Sequence, residues 1–224
     1  MPSGAPDYSS VIQTVAPIVG AGAPDYQETA VGPGGVPLSG GSSGGEWCPQ
    51  DWGWCGWTCQ PQITNGWASE ENGKIFLVLA KATVTKTATA MLMGMGSVGT
   101  GIIAHENFLG IYNYVPYASS STSYTLLGST AAGAADSAFG SNTLSSVPLA
   151  AGVAVTAGTL YYIATLGNWS GTVGVQVGFQ CTHLSNLAGQ LYGLLSKDSH
   201  TTLPNPLTNM LGASGTGIPW GAFS

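Results

Sequence analysis

The sequence has no arginine and only four lysines, which lie at positions 74, 81, 86 and 197 and form no cluster. Because recognition of phosphate needs clustered Lys or Arg side chains, we expect no binding to nucleic acid. The formal net charge of −6 points the same way, and it also disfavours attraction to an anionic membrane surface. Polyanion-binding functions are therefore disfavoured from the start.

Charge of either sign is scarce. Charged residues make up 6% of the chain, against roughly 25% in an ordinary soluble domain. Hydrophobic residues reach 44%, and there are 34 glycines. The surface must therefore consist of Ser, Thr, Gly, Asn and Gln, or be covered by neighbouring molecules. This composition is typical of fibres, shells and secreted β proteins rather than of intracellular enzymes.

Long apolar runs are also missing. The longest uninterrupted run spans only residues 75–80, whereas a membrane-spanning helix needs about 20 apolar residues. Residues 1–4 carry neither the basic region nor the apolar region of a signal peptide. We therefore expect no membrane insertion and no export signal.

Residues that could support catalysis are few and scattered. The three histidines, His105, His183 and His200, are far apart in sequence, and the adjacent pair His105-Glu106 is expected in a solvated turn. Ser214 lacks the G-x-S-x-G spacing of a strained nucleophile turn. No pair of carboxylates has a spacing that favours glycoside hydrolysis. The sequence predicts no enzymatic activity and no cofactor.

Residues 1–45 are rich in Gly, Pro, Ser and Ala and cannot bury enough apolar surface to fold alone. The segment 4–8, Gly-Ala-Pro-Asp-Tyr, recurs at 22–26. We predict an extended docking arm whose two repeats contact a partner, although low-complexity drift remains the alternative. Proline would lower the entropy lost on docking. The docking candidates are Pro6, Asp7, Tyr8, Pro24, Asp25 and Tyr26.

Residues 46–67 form a segment rich in Trp and Cys, which is too short to build a core of its own and is predicted to be a compact plug. The four indoles of its first part, residues 46–59, suit a subunit interface, where Trp is enriched. They would equally suit a platform for stacking on a glycan, and both readings stay open. The candidates are Trp47, Trp52, Trp54 and Trp57.

The cysteines of the same segment, Cys48, Cys55 and Cys59, have the spacing C-x6-C-x3-C. Zinc sites usually show C-x2-C pairs and four ligands, so we expect no metal. A disulfide among the three is favoured if the protein matures outside the cell, but the sequence cannot choose the pairing. Cys181 lies on the apolar face of a predicted strand and is interpreted as a small buried residue.

Residues 68–224 are predicted to form one all-β domain, a jelly-roll-like β-sandwich. Polar and apolar side chains alternate over 82–93, 160–166 and 173–181, and further strands are expected at 108–112 and 124–127. Leucines at helical spacing over 184–195 predict one helix. The last residues, 217–223, are interpreted as an edge strand, where a proline is tolerated.

Four phrases of strand and turn give a resemblance to a known family. They read ATVTKTAT at 82–89, NFLGIY at 107–112, LLGSTA at 126–131 and TAGTLYYIA at 156–164. In these phrases the chain resembles the β-sandwich domain of minor tail proteins from bacteriophages that infect actinobacteria. The resemblance implies a virion component at the tail tip, baseplate or fibre that takes part in host contact. It implies no catalytic residues.

The favoured hypothesis is accordingly a non-enzymatic virion structural protein, more consistent with the tail than with the capsid. We expect it to be assembled in the host cytoplasm, to be joined to other virion proteins by the arm, and to form a homo-oligomer, with a trimer as the guess. A capsid decoration protein or head fibre is an alternative, and a secreted carbohydrate-binding module is another. A host surface glycan is a possible ligand. A tail depolymerase is the enzyme hypothesis that ranks below these.

Overall fold

The computed structural model describes residues 49–58, 67–69, 71–97, 100–139, 144–171, 176–178, 180–181, 186–187, 190–191, 193–212 and 218–224. All of these residues belong to one compact unit, Trp47–Ser224. The predicted docking arm lies outside the described residues, together with its candidates Pro6, Asp7, Tyr8, Pro24, Asp25 and Tyr26. Trp47, Cys48 and Cys59 also lie outside them.

Strands dominate the part of the chain that is described, and helix is limited to a 3-10 turn at Pro49–Trp52 and one turn of α-helix, α1, at Asp136–Phe139. The strands are β1 Gly56–Trp57, β2 Trp67–Ser69, β3 Ile75–Ala82, β4 Lys86–Ser97, β5 Phe108–Asn113, β6 Leu126–Ser129, β7 Leu144–Val155, β8 Leu160–Leu166, β9 Gln176–Gly178, β10 Gln180–Cys181, β11 Asn186–Leu187, β12 Gln190–Leu191, β13 Gly193–Ser196, β14 Met210–Gly212, β15 Ile218–Pro219 and β16 Gly221–Phe223.

Twelve of these strands form one sheet, in the order β2-β9-β4-β16-β1-β3-β8-β5-β6, with β7 beside β4 and the pair β13-β14 beside β3. A bridge between Thr130, which follows β6, and Leu149 of β7 brings the two sides together. The result is a nearly closed, barrel-like antiparallel sheet. The all-β prediction is thus confirmed, whereas the two-layer jelly-roll sandwich is not.

The three neighbouring strands β3, β8 and β5 are buried on both faces. Along β8, for example, Tyr161 and Ile163 belong to one apolar cluster, while Tyr162 and Ala164 belong to another. Successive side chains of a strand point to opposite faces, so a strand with a core on each side reads as an uninterrupted apolar run. This explains why residues 75–80 form the longest apolar run of the sequence.

The alternation predicted over 82–93 is divided between two strands. Residues 83–85 connect β3 to β4 rather than continuing one strand. On β4 the threonines Thr87 and Thr89 are exposed, and Ala88 is fully buried. The predicted alternation therefore holds for Thr87, Ala88 and Thr89 on β4.

The helix predicted over 184–195 is wrong. The described residues of this stretch form β11, β12 and β13 instead. Leu194 is fully buried, because β13 pairs with the first half of β3 through Leu194↔Leu77 and its neighbours. The leucine spacing fits either structure in so short a segment, and pairing with an already buried strand decides for the sheet.

The final strand is also not at an edge. β16 lies between β4 and β1 in the middle of the sheet, where Ala222 and Phe223 are fully buried. Pro219 lies just before it, in β15, which pairs with β10 in a separate two-stranded ladder. The prediction of an edge strand over 217–223 is therefore wrong for its last three residues.

Buried asparagines tie together the loops at one end of the sheet. The Nδ2 of Asn107 donates to the Ile103 carbonyl at 2.7 Å and to Oδ1 of Asp136 at 2.9 Å, and its Oδ1 accepts from the Asn168 amide at 2.8 Å. The Nδ2 of Asn168 in turn donates to the carbonyls of Glu106 and His200. The Asn168 side chain thus connects two loops through its hydrogen bonds.

His200 makes stability sensitive to acid. Its Nε2 is buried without a hydrogen-bond partner in the structure. Burial lowers the pKa of His200 from its ordinary value of 6.5, Lys74 acts in the same direction, and Asp198 opposes them.

Because the unfolded chain then binds the proton more readily, the free energy of unfolding is largest above pH 6.5 and falls as the pH drops below that value. We expect His200→Gln to weaken this fall. Urea unfolding at a series of pH values down to about 5, a range that brackets ordinary histidine titration, measures it. An unchanged pH profile in the variant would contradict the assignment.

Candidate functional site

Tryptophans gather on the outer face of the sheet where β1, β16 and β4 lie side by side. Trp54 is at the centre, with its ring centroid 5.7 Å from that of Trp52, 6.0 Å from that of Trp57 and 5.5 Å from that of Trp220. Trp52 is stacked on Trp54, while the other two meet it edge to face. We call these four residues the tryptophan patch.

The local sequence explains how the patch is held. The 3-10 turn is followed by Gly53, whose φ of 75° is open to glycine and rare for other residues. The amide of Trp54 donates to the Pro49 carbonyl at 3.0 Å, which folds the chain back on the turn. The chain then enters the sheet as β1, so Trp52 lies on the turn, Trp54 lies just after it and Trp57 lies on a strand.

The fourth ring comes from the other end of the chain. Trp220 directly precedes β16 and is 2% exposed, and it packs with Leu92 and Ala222 in a small apolar cluster beneath Trp54 and Trp57. Trp220 is not among the tryptophans predicted for this site. The sequence offers only a Pro-Trp pair in a predicted strand as a hint. The order of the strands is what brings Trp220 next to residues more than 160 positions earlier.

The exposed fraction differs among the four side chains of the patch. Trp220 is at its base, Trp54 and Trp57 are half-buried, and Trp52 is 50% exposed. The charged residue closest in register is Lys81, which is exposed and is the cross-strand partner of Trp57. The arrangement is a cluster of aromatic rings supported by the sheet, with half of the Trp52 side chain accessible, which suits contact with an apolar or uncharged partner.

Three of the four predicted tryptophans are thus brought together, namely Trp52, Trp54 and Trp57. Trp47 lies outside the described residues, so its membership stays a prediction. The described residues of the predicted plug do not form a separate body, because β1 pairs with both β16 and β3 inside the main sheet.

Cys55 belongs to the core beneath the patch. Its thiol is free and fully buried. Burial raises the pKa of this thiol, and the nearby Lys86 lowers it by a smaller amount. A disulfide that includes Cys55 is therefore not formed in the structure. A disulfide between Cys48 and Cys59 stays a prediction. The interpretation of Cys181 as a small buried residue also stays a prediction, because the structure does not describe its side chain.

Outside the patch, titratable groups lie around His200, whose pKa is influenced by Lys74 and Asp198, and at His105. His105 is exposed in a turn with a φ of 66°, as expected for the His105-Glu106 pair. Its amide donates to Oδ2 of Asp136, so that carboxylate is engaged in holding the loop. No group of three or more His, Cys, Asp or Glu side chains that could hold a metal occurs among the residues searched.

A scan against protein-family models found no match, and a search of curated proteins found no similar protein. Within the described part of the chain, no helix is long and apolar enough to cross a membrane.

Proposed function

We propose that this protein is a non-enzymatic structural subunit of a bacteriophage virion, most consistent with a minor tail component at the tail tip, baseplate or fibre, that serves particle assembly and host adhesion. The observation that carries the proposal is the tryptophan patch, a cluster of aromatic rings supported by the sheet in which Trp52 is 50% exposed. The resemblance in four strand-and-turn phrases and the scarcity of charge support it. We also propose that the domain has the jelly-roll-like arrangement of strands expected from the sequence.

The patch is suited to an interface between subunits. Exposed Trp side chains are enriched at the energetic centres of interfaces, where neighbouring residues exclude water. Trp52 supplies the accessible ring, which is stacked on Trp54, and Trp54 packs in turn against Trp220. The predicted docking arm, residues 1–45, ends only a few residues before Trp52, the first residue of the patch. We propose that the two act together to attach the protein to other virion proteins.

A capsid decoration protein or head fibre is a variant of the same proposal, since an arm and an outward surface suit either position. Antibodies raised against the purified chain, applied to purified particles of the phage that encodes it, separate these positions by immunogold labelling. Label at the tail supports the first proposal, and label on the head supports the variant. If mass spectrometry detects none of the chain in purified particles, both the tail proposal and the capsid variant are overturned.

A carbohydrate-binding module is the second candidate. Half of the Trp52 surface is accessible, and a flat indole can stack on the apolar face of a pyranose. In this case the purified full chain binds a host cell-wall glycan without any virion protein. A virion subunit that uses the patch for assembly binds particles and not the isolated glycan.

The substitution Trp52→Ala tests the interface directly. We expect it to lower incorporation of the chain into particles by at least about tenfold, since a central aromatic residue of an interface contributes roughly 2 kcal/mol or more. Quantitative mass spectrometry of purified particles is the measurement. Leu211→Ala is the control, because Leu211 is comparably exposed at 43% and lies on β14.

Normal incorporation of Trp52→Ala with slower adsorption to host cells would instead assign the patch to glycan contact. Normal incorporation together with normal adsorption would remove the patch from the function altogether.

A further inference from the structure

Four tyrosines meet in one of the apolar clusters that cover β3, β8 and β5. Tyr112 lies on β5 and Tyr162 lies on β8, while Tyr114 directly follows β5 and Tyr124 shortly precedes β6. The ring centroid of Tyr162 is 5.6 Å from that of Tyr114 and 5.5 Å from that of Tyr124. We call these four residues the tyrosine cluster, and it joins both ends of the connection between β5 and β6 to β8.

The hydroxyl groups of the cluster differ in their hydrogen bonds. That of Tyr112 donates to the Pro204 carbonyl at 2.7 Å. Those of Tyr114 and Tyr124 are buried and have no hydrogen-bond partner among the described residues. Buried polar groups are nearly always paired, either with protein or with an ordered water, because an unpaired group loses its hydration without compensation. These two hydroxyls therefore call for a partner from outside the chain.

The nearby Thr122 hydroxyl does not provide the acceptor that Tyr124 needs. Burial raises the pKa of Tyr124 to about 12, and the Thr122 hydroxyl opposes the rise. An effect of that sign comes from donation to the phenolic oxygen. The Oγ1 of Thr122 already accepts from the amides of Ala118 and Ser119, each at 3.2 Å, so both of its lone pairs are used. The O–H group of Tyr124 is thus left without an acceptor.

The phenolic oxygens lie close to one another. Burial raises the pKa of Tyr162, and the charges of Tyr124 and Tyr114 raise it further. Like charges have this effect on each other's pKa only at short range. The backbone of Tyr124 is fixed by a pair of hydrogen bonds with Leu207, each 2.9 Å long. The hydroxyls therefore face a common region whose geometry is held by the surrounding backbone.

We infer that the tyrosine cluster is a binding site for one internal water molecule, held between the hydroxyls of Tyr114 and Tyr124 with the hydroxyl of Tyr162 beside it. An internal water typically makes about three hydrogen bonds to polar groups that are otherwise unpaired. Since water both donates and accepts, it serves the two hydroxyls at once and fastens the two ends of the β5–β6 connection to each other. The inference rests on these side chains and does not depend on the proposed virion role.

Removing one hydroxyl from the full-length chain gives opposite results with and without the water. Phenylalanine retains the ring and hence the packing against Tyr162. We expect Tyr124→Phe and Tyr114→Phe each to lower the urea midpoint of unfolding, because the bound water loses a partner. If the hydroxyls were simply unpaired, each substitution would raise the midpoint by removing a buried polar group without a partner. An unchanged or raised midpoint overturns the inference.

Tyr112→Phe is the reference, because its hydroxyl has a protein partner in the Pro204 carbonyl. We expect it to lower the midpoint to a similar extent. The double variant Tyr114→Phe/Tyr124→Phe then shows whether the partner is shared. With one shared water, the second substitution adds little to the loss caused by the first. Fully additive losses would mean two separate partners, which would overturn the inference.

Magnetic relaxation dispersion of the water signal detects internal waters with long residence times in the same proteins. We expect a weaker dispersion in the double variant than in the unsubstituted chain, with Tyr112→Phe as the matched control for loss of a buried hydroxyl. If the double variant and the unsubstituted chain gave equal dispersions, no water would be held at this site and the inference would be overturned.

Discussion

Replacing Phe223 by alanine is expected to lower the free energy of unfolding by about 3–5 kcal/mol, the range for removing a large buried aromatic side chain. Phe223 is the second-last residue and yet is fully buried, with Tyr161 against its ring. It also approaches Gly56 so closely that a Cβ on Gly56 would lie 2.7 Å from its Cζ. The residues around the ring are tightly packed, so we do not expect them to close the cavity that alanine would leave.

Urea unfolding followed by tryptophan fluorescence and circular dichroism measures this loss. Leu127→Ala is the control, since Leu127 is 42% exposed on β6 and an exposed substitution of this kind changes stability by about 0.5 kcal/mol or less. Phe223→Leu retains most of the volume and should cost less than half as much as alanine. A Phe223→Ala loss no larger than that of the control would mean that the C-terminal strand does not complete the sheet in solution.

The second large effect is expected at Asn107. The substitution Asn107→Ala should lower the free energy of unfolding by about 2–4 kcal/mol, because it leaves the buried amide of Asn168 without the oxygen that it donates to. It also removes the donor to the Ile103 carbonyl and to Asp136. Asn107 is fully buried, so water cannot easily replace these bonds.

Asn113→Ala is the comparison for this prediction. Asn113 is half-buried, and its Oδ1 accepts one hydrogen bond, from the Thr125 amide at 2.6 Å. A single accessible bond contributes about 1 kcal/mol. Urea unfolding of both variants measures the difference, and hydrogen exchange of the 101–107 and 167–171 amides reports whether the loops loosen first. Equal losses in the two variants would show that the asparagine network is not a stabilising centre.

The C-terminal strand connects stability to the candidate site. Trp220 belongs to the tryptophan patch, and Ala222 packs beneath the patch on the same side of the sheet. Phe223 points to the core on the other side, because alternate residues of a strand point to opposite sides. A change that removes this strand from its place between β1 and β4 should therefore disturb the patch as well. Loss of incorporation in Trp52→Ala, where the strand is intact, separates a role in binding from a role in folding.

Several features could be read from the sequence because they depend on local pattern. The strands predicted at 108–112 and 160–166 match β5 and β8 to within a residue of their observed bounds. The scarcity of helical patterns predicts the all-β class. The clustering of Trp52, Trp54 and Trp57 within six positions is enough to expect an aromatic surface. In each case the residues concerned are neighbours in the chain, so their spacing alone carries the information.

Other features depend on partners far away in the chain. Leu184–Leu195 could be helix or strand by its own spacing, and pairing of β13 with the buried β3 decided for the sheet. Strand order decided that the last strand lies at the centre of the sheet rather than at its edge, and that Trp220 joins the patch. A short apolar segment can satisfy its backbone in several ways. Only the assembled tertiary structure offers the one neighbour that buries its side chains and pairs its hydrogen-bonding groups at the same time.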